Sequence, residues 1–365
     1  EGEDARLYKA VEACSEFACE LGVNIPTGKD SLSMTQKYGK DKVYSPGTVI
    51  ISAGAEVSDV KKVVTPVLVN DEDTALIHID FSFDKHKLGG SVLGQILKRL
   101  GDDVPTVKYP EYFRETFNAV QSLINDGLIL AGHDISAGGL LTTMLEMCFA
   151  NEKGGLMINL SGINEQDLTK ILFAENPGIL IQVKDVNKVV SRLDQDGIGY
   201  AIIGVPTTEK RTIVIKRDND TLTFDIDSLR DKWFRTSYLL DRKQSGENCA
   251  KARFENYKKQ PLQMEFVESF SGQMKQYGIT PENKKKSGIK AAIIREKGTN
   301  GEREMAYAMY LAGFDVKDVH MTDLASGRET LEDINFIVFC GGFSNSDVLG
   351  SAKGWAGGFL YNEKA

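Results

Sequence analysis

The sequence has few cysteines and lacks the spacings by which cysteines bind zinc or build disulfide frameworks. Five cysteines occur among 365 residues, and none of them form a Cys-x-x-Cys pair. Scattered thiols are typical of a reducing compartment, so we expect a cytoplasmic protein in which Cys14, Cys148 and Cys340 are small buried side chains. The sequence also lacks an apolar run long enough to span a membrane.

Positive charge is scarcer than negative charge. The 44 Lys and Arg residues against 52 Asp and Glu residues give a formal charge of −8, which argues against a nucleic-acid partner. A hydrophobic content of 41% and a charged content of 26% indicate an ordinary globular protein, long enough for two or three domains. The chain starts at Glu1 without a methionine or a targeting pattern, so we expect residue 1 to lie inside a longer protein.

The first 70 residues predict the remainder of a small subdomain. Apolar residues at three-to-four spacing from Glu3 to Leu21 predict a helix with one buried face, and Gly22 ends it. Residues 48–57 alternate as in a strand. We place a domain boundary near residue 70.

The rest of the chain predicts two α/β domains joined by a bridge. Residues 71–226 alternate between predicted strands and helices, with a helix expected at 88–100. Residues 227–287 lack a clear period and predict a bridging segment with short helices. Residues 288–365 predict the β-α-β-β opening of a doubly wound parallel sheet. The predicted fold class is therefore α/β.

A glycine-rich loop follows the last predicted strand. The apolar run Ile334 to Phe339 fits the centre of a parallel sheet, and Gly341-Gly342 lets backbone amides turn toward a ligand. Paired N–H groups of this kind can stabilise an oxyanion. The alternative is an ordinary turn after a core strand.

A second polar loop follows the first predicted helix. Within 24–34 the sequence places Lys29, Asp30 and Ser31 side by side, which suits binding of a phosphate or magnesium ion. The spacing is not that of a Walker loop. The alternative is a turn in which Asp30 and Ser31 bond local amides.

A third segment, 128–140, combines a short buried strand with polar residues and glycines. His133, Asp134 and Ser136 come at the end of the strand, and Gly138-Gly139 begins a helix. Strand ends and helix N-termini favour phosphate and cation binding, so we expect Asp134 to bind magnesium and Ser136 to contact phosphate. The alternatives are that Asp134 or Ser136 caps the helix and that His133 is a core histidine.

Two further segments have weaker signals. Glu175, in the turn before the strand at 178–183, is expected to position the domain. The side chains of Phe81, Phe83 and His86 and the loop 88–91 are expected to line a crevice, or else to form a strand edge and a helix cap.

Four segments together resemble the large, glutamine-dependent phosphoribosylformylglycinamidine synthase family. They are Glu-Gly-Glu-Asp-Ala-Arg-Leu-Tyr at 1–8, Pro-Thr-Gly-Lys-Asp-Ser-Leu-Ser-Met at 26–34, Gly-His-Asp-Ile-Ser-Ala-Gly-Gly-Leu at 132–140, and the strand and loop at 334–358. The resemblance implies the second synthetase half, of the aminoimidazole ribonucleotide synthetase type, followed by the start of a class I glutaminase domain.

The resemblance also implies roles for individual residues. Asp134 matches a magnesium ligand, Ser136 matches a nucleotide contact, and Gly341, Gly342 and Phe343 match the oxyanion loop. Further cofactor contacts are expected from five loop residues, namely Lys29, Asp30, Ser31, Gly138 and Gly139. The family's nucleophilic cysteine with its histidine and glutamate is expected beyond Ala365, and the glutamate and asparagine that share the metal are expected before residue 1.

The implied activity is an ATP-dependent ligation in purine biosynthesis. In the family, ATP with Mg²⁺ activates the formyl amide oxygen of formylglycinamide ribonucleotide, and ammonia from glutamine displaces phosphate to give the amidine. We expect this chain to be inactive alone and to act with the remaining parts of the same enzyme. Two alternatives are a noncatalytic nucleotide-binding scaffold and a stand-alone aminoimidazole ribonucleotide synthetase.

Overall fold

The computed structural model describes residues 2–25, 35–45, 47–55, 59, 62–256, 267–271, 273–280, 285–344, 349–350 and 352–365. The chain divides into two compact units, residues 1–263 and 264–365. The predicted domain boundaries near residues 70, 226 and 287 stay predictions. No helix within the described residues is both long and apolar enough to cross a membrane.

The first unit contains nine strands and eight α-helices within the described residues. Its strands are β1 (Thr35–Tyr38), β2 (Asp41–Tyr44), β3 (Ala75–Asp80), β4 (Ile129–Asp134), β5 (Gly155–Asn159), β6 (Gly178–Val183), β7 (Tyr200–Thr207), β8 (Thr212–Arg217) and β9 (Asp220–Asp225). Its helices are α1 (Glu3–Leu21), α2 (Val92–Ile96), α3 (Pro110–Asn125), α4 (Gly139–Phe149), α5 (Leu168–Phe173), α6 (Val186–Gln195), α7 (Ile226–Ser245) and α8 (Glu247–Asn256).

Seven of these strands form one sheet in the order β4-β6-β3-β7-β5-β8-β9. Neighbouring strands are antiparallel except β5 and β8, which are parallel. Asp80 pairs with Gly178, and Asp134 pairs with Ile179. The carboxyl ends of β3 and β4 therefore lie at the same edge of the sheet. The predicted α/β class is confirmed.

Helices cover both faces of this sheet. Leu76 of β3 belongs to the same buried cluster as Met144 of α4, whereas its neighbour Ile77 belongs to a second cluster with Leu123 of α3. Successive strand residues point to opposite faces. A strand with a helical layer on each side must be apolar on both of its faces. This explains why residues 75–79 do not alternate between polar and apolar side chains.

Two predicted elements of the first unit differ from the structure. The helix expected at 88–100 is reduced to α2, because Lys98 has a positive φ of 56° and Gly94 lies so close to Arg99 O that an added Cβ would be 2.8 Å away. Of the strand expected at 48–57, the described residues 48–55 form no strand. The β1–β2 hairpin and β9 were not predicted.

The expected bridging segment begins with a long helix. Helix α7 has 20 residues, and Asp225 caps it by accepting a hydrogen bond from Ser228 N at 2.7 Å. It packs on α4, with the rings of Trp233 and Phe149 at 5.4 Å. The prediction of short helices was wrong here, because the aromatic and charged residues of α7 pack against α4 rather than following a regular amphipathic period.

The second unit has a three-stranded parallel sheet. Its strands are β10 (Lys290–Arg295), β11 (Asp315–His320) and β12 (Phe336–Phe339), in the order β11-β10-β12. Its α-helices are α9 (Glu302–Ala312), α10 (Met321–Ser326) and α11 (Ala352–Tyr361), and a 3-10 helix spans Met274–Tyr277. Ile293 clusters with Met309 of α9, and Ile294 clusters with Trp355 of α11. Helices therefore cover both faces, as a doubly wound fold requires.

Candidate functional site

Strand β4 delivers Asp134 to the edge of the large sheet. The side chain of Asp134 is 76% exposed. The next residue, Ile135, is buried, and Ser136 is exposed again. This alternation puts the two oxygen-bearing side chains on the solvent side of the loop between β4 and α4. In the part of the chain that the structure describes, the Ser136 hydroxyl has no hydrogen-bond partner.

His133 is held by oxygen atoms rather than by apolar packing alone. Its ring Nδ1 lies 2.8 Å from Asp134 O and 3.3 Å from Asp134 Oδ1. Its Nε2 lies 3.1 Å from Glu146 Oε2 of α4. The His133 side chain is 16% exposed. The alternative of a core histidine with satisfied hydrogen bonds therefore describes His133 in part, but the ring also contacts the candidate metal ligand.

The two glycines that begin α4 have a structural requirement of their own. Gly138 has φ +91° and Gly139 has φ +70°. The Gly139 N–H donates to Ser136 O at 2.9 Å, and the Gly138 N–H donates to Glu175 Oε1 at 2.9 Å. Both amides that we expected to face a nucleotide thus have protein acceptors in this conformation. Their assignment as cofactor contacts stays a prediction.

Glu175 connects two helix starts. Besides the Gly138 amide, its Oε1 accepts a hydrogen bond from Val92 N at the first residue of α2, at 2.8 Å. One carboxylate oxygen thereby satisfies amides at two N-termini, where negative charge is favoured. This contact fixes the loop before β6 to the start of α4.

Three predicted site residues, Lys29, Asp30 and Ser31, lie outside the described residues. Nothing in the structure bears on their position. Their assignment to the cofactor site stays a prediction.

Within the described residues, Asp134 is the one carboxylate that we assign to the predicted metal site. No group of three or more His, Cys, Asp or Glu side chains placed to hold a metal ion occurs there. Mg²⁺ is commonly bound through one or two carboxylates together with phosphate oxygens and water. An exposed Asp134 therefore fits magnesium that arrives with a nucleotide, and it does not fit a metal held by protein ligands alone.

A cleft of about 420 Å³ lies at the same sheet edge, beside the end of β3. Phe83 and His86 line it, as expected, and His78, Asp80 and Lys108 complete this side. Phe81 belongs instead to the core, because residues alternate at the strand end and its ring faces α3. In the loop 88–91, Ser91 caps α2 by accepting a hydrogen bond from Gly94 N at 3.2 Å.

Burial lowers the pKa values of His78 and His86, which line this cleft. Desolvation lowers the pKa of His78 from 6.5 to about 4, against the smaller raising effect of Asp80. Burial likewise lowers the pKa of His86. Asp80 accepts hydrogen bonds from Ser82 N and Ser82 Oγ, at 3.0 and 2.7 Å. The cleft therefore presents neutral imidazoles at pH 7. Sequence reasoning missed His78, because it lies within an apolar run that predicts a buried strand.

We expect the first unit to lose stability as the pH falls from 7 toward 4. The unfolded state binds a proton on His78 below about pH 6.5, whereas the folded state resists it until about pH 4, so stability rises with pH across this window. The expected loss from pH 7 to pH 5 is about 2 kcal/mol. Urea unfolding at several pH values measures it.

The variant His78→Gln tests the origin of this pH dependence. Its unfolding free energy should change by about 2 kcal/mol less over the same pH range. His320→Gln, a substitution in the second unit, provides the matched control, and the first unit should unfold in it with the pH dependence of the wild type because His78 is retained. An unchanged slope in His78→Gln would show that burial of this imidazole is not the cause.

The glycine-rich loop of the second unit follows β12, as predicted. Asn300 N donates to Gly341 O at 2.9 Å, and Gly342 has φ +134° and forms a bridge with Thr299. Phe343 is exposed. A pocket of about 190 Å³ is lined by this loop, Cys340 and Trp355. The backbone of the glycine-rich loop is therefore in contact with residues 298–300. The role of this loop as an oxyanion loop stays a prediction.

We expect the cysteines to differ strongly in reactivity. Burial raises the pKa of the Cys148 thiol to about 12 and also raises the pKa of Cys340, whereas Cys19 and Cys249 are exposed. Thiolates react and thiols do not. Iodoacetamide at pH 7.5 should label Cys19 and Cys249 at least ~100-fold faster than Cys148, as measured by mass spectrometry of peptides.

Cys340 is the informative member of this set, because it precedes the glycine-rich loop. Slow labelling, comparable with that of Cys148, agrees with a buried structural thiol. Labelling of Cys340 faster than Cys19 would instead mark it as an activated nucleophile and overturn the burial argument.

Three domain models match the chain along its length. A CobB/CobQ-like glutamine amidotransferase domain matches residues 288–365, the C-terminal domain of AIR synthase related proteins matches 75–217, and an FGAR-AT PurM N-like domain matches 1–56. The probable phosphoribosylformylglycinamidine synthase, chloroplastic/mitochondrial, of Arabidopsis thaliana is 39% identical over 372 residues, which cover 100% of this chain and 26% of the relative.

The predicted family resemblance is confirmed. The chain is similar to phosphoribosylformylglycinamidine synthase over all of its own length and spans 26% of the length of this curated relative. The synthetase-type and glutaminase-type parts occur in the predicted order.

Solved structures of the synthase family are more distant. T. maritima PurL complexed with ATP is 14% identical with a TM-score of 0.37, over 47% of this chain and 28% of that chain. Phosphoribosylformylglycinamidine synthase II from Thermotoga maritima is 13% identical with a TM-score of 0.38, again over 47% and 28%.

Proposed function

We propose that this chain is part of an ATP-dependent amidotransferase of de novo purine biosynthesis. The overall reaction is formylglycinamide ribonucleotide plus glutamine, ATP and water giving formylglycinamidine ribonucleotide, glutamate, ADP and phosphate. The observation that carries the proposal is the 39% identity to a phosphoribosylformylglycinamidine synthase across the whole chain. Since the chain spans 26% of that relative, we assign it a share of the reaction and not the complete activity.

The first unit is proposed to hold the nucleotide at the end of β4. Asp134 would hold Mg²⁺, and Ser136 would donate a hydrogen bond to a phosphate oxygen. Further contacts to the nucleotide are proposed for Gly138 and Gly139, and for Lys29, Asp30 and Ser31. Two observations support this assignment: the Asp134 carboxylate is exposed, and the Ser136 hydroxyl has no partner among the residues that the structure describes. When bound, Mg²⁺ supplies positive charge that offsets charge on the phosphates.

The second unit is proposed to contribute the oxyanion loop of the glutaminase. Backbone N–H groups of Gly341, Gly342 and Phe343 would face the oxyanion formed when a nucleophile attacks the glutamine amide. Cys340 is not proposed as that nucleophile, because burial raises its pKa. The partners are the remaining parts of the same enzyme and its small-molecule substrates, in the cytoplasm.

Calorimetric titration with MgATP tests the nucleotide site. We expect Asp134→Ala to weaken binding at least ~10-fold, because magnesium loses its carboxylate ligand. Asp196, an exposed carboxylate at the end of α6, provides the matched control Asp196→Ala, which should bind like the wild type. Equal affinity of all three proteins would remove Asp134 from the metal site.

The same substitution, made in the enzyme complete with its remaining parts, separates the scaffold alternative from catalysis. If this half is a nucleotide-binding scaffold, phosphate release on incubation with ATP, formylglycinamide ribonucleotide and ammonia should persist in Asp134→Ala. Phosphate release that requires these substrates and is lost in Asp134→Ala would place catalysis in this half.

A further inference from the structure

Four side chains follow one another in close polar contact from helix α7 to the candidate metal ligand, through two hydrogen bonds and two nitrogen–carboxylate contacts. Trp233 Nε1 of α7 donates to Glu146 Oε1 of α4 at 2.9 Å. The other carboxylate oxygen, Glu146 Oε2, lies 3.1 Å from His133 Nε2. His133 Nδ1 lies 3.3 Å from Asp134 Oδ1 and 2.8 Å from Asp134 O. The first two links join different elements, α7 to α4 and α4 to β4, and the third joins neighbouring residues of β4.

This arrangement fixes the imidazole of His133. Both ring nitrogens face oxygen atoms, so a turn of the ring in either direction gives up a hydrogen bond. Glu146 is in turn fixed because each of its oxygens has its own partner, and its side chain is 25% exposed. A charged hydrogen bond in a partly buried place is stronger than one in open water.

Helix α7 is itself firmly docked at this point. The Trp233 ring packs on the ring of Phe149, with centroids 5.4 Å apart. One turn earlier, the buried Arg230 donates from NH1 to Phe149 O at 3.1 Å and pairs through NH2 with Asp227 Oδ1 at 2.9 Å. These contacts hold α7 against α4 next to Trp233, which is itself 54% exposed.

We propose that Glu146 and Trp233 are positioning residues for the nucleotide–magnesium site, acting on Asp134 through His133. The proposal rests on the proposed function, since it supposes that Asp134 binds the metal. It assigns a role in the site to α7, a helix outside the segments whose sequence resembles the family's nucleotide-binding motifs. Residues that orient a metal ligand typically affect metal affinity 10- to 100-fold when they are removed.

Electron paramagnetic resonance of Mn²⁺ in the presence of ATP tests this role in the whole chain. Glu146→Ala should weaken Mn²⁺·ATP binding about 10-fold, at the low end of that range because Asp134 is exposed. Glu146→Gln keeps one oxygen acceptor for His133 and should retain most of the affinity. Trp233→Phe keeps the ring packing and loses only the N–H, so about a 3-fold loss is expected.

Two exposed neighbours provide matched controls. Glu152→Ala, in the loop after α4, and Lys232→Ala, beside Trp233, should bind Mn²⁺·ATP like the wild type. Urea unfolding of every variant shows which ones fold. If Glu146→Ala does not fold, the comparison of Glu146→Gln, Trp233→Phe and Lys232→Ala still decides the question.

The imidazole resonances report whether the substitutions reach His133, and a positioning role requires that such a shift be accompanied by reduced Mn²⁺·ATP affinity at unchanged stability. The chain has four histidines, so the His133 signals can be assigned with His133→Asn. In Glu146→Gln and Trp233→Phe, the ring ¹⁵N signals of His133 should shift while those of His320 stay constant. Unchanged His133 signals together with wild-type Mn²⁺·ATP affinity would overturn the proposal.

The failure of this inference is distinguishable from failure of the proposed function. If Asp134→Ala weakens Mn²⁺·ATP binding and Glu146→Ala does not, the positioning role is refuted and the metal site stands. If Asp134→Ala has no effect, the proposed metal site is refuted, and the positioning role is refuted with it.

Discussion

Replacing Gly139 by alanine is expected to lower the free energy of unfolding of the first unit by about 4 kcal/mol. Gly139 has φ +70°, where a side chain costs about 1–2 kcal/mol. Its added Cβ would also lie 2.7 Å from Leu172 O and 2.8 Å from Phe173 C, which are backbone atoms at the end of α5. Helix α4 or α5 must move to relieve the overlap, at a further cost of about 1–3 kcal/mol.

The variant Gly127→Ala separates the cost of the backbone conformation from the cost of the steric overlap. Gly127 has nearly the same conformation, with φ +68°, but nothing lies within 4 Å of an added Cβ. Gly127→Ala should therefore show the backbone cost alone, about 1 kcal/mol. Urea unfolding of both variants measures the difference. Equal losses would mean that the close approach of α4 to α5 does not constrain residue 139.

Replacing Glu175 by alanine is expected to cost about 3 kcal/mol of stability. The variant removes the acceptor of two backbone amides, Val92 N and Gly138 N, and each hydrogen bond to a charged group contributes about 1.5–3 kcal/mol. Water can reach part of this partly buried site and reduces the loss. The start of α4, and with it the loop that carries Asp134, should also become more mobile.

Hydrogen exchange and unfolding together test the role of Glu175. The Gly138 and Val92 amides should exchange faster in Glu175→Ala, and Glu175→Gln should recover part of the stability because its amide oxygen can still accept. Glu209→Ala, at an exposed carboxylate in the turn between β7 and β8, is the matched control. Wild-type exchange at Gly138 in Glu175→Ala would contradict the helix-start contact.

Local patterns were sufficient to predict β6 and the start of α4, two elements next to the loop that follows Asp134. The run Gly178–Val183 is a strand with the predicted bounds, and α4 begins at Gly139 as predicted. Both signals are local, because a buried strand needs consecutive apolar residues and a helix start after Gly138 has its own turn chemistry. Asp134 ends β4, and the buried Ile135 and the exposed Ser136 lie in the loop that follows it.

The contacts around that loop were not predictable from one sequence. Glu175 follows Gly138 by 37 positions, and Trp233 follows Glu146 by 87 positions. Neither spacing has a period that points to a contact, since both depend on how the sheet brings distant segments together. The same cause explains why the length of α7 was not predicted. Its polar and aromatic residues pack against α4 and do not form an apolar stripe.

Paramagnetic broadening by Mn²⁺·ATP, read from the backbone amides of the whole chain, tests the nucleotide site most directly. The amides of residues 135–138 should broaden strongly, because the metal would bind at the Asp134 carboxylate, and those of the β9 strand Asp220–Asp225, at the far side of the sheet, should not. Asp134→Ala should abolish the local broadening. Broadening centred elsewhere in the chain, or unchanged in Asp134→Ala, would contradict the proposed site.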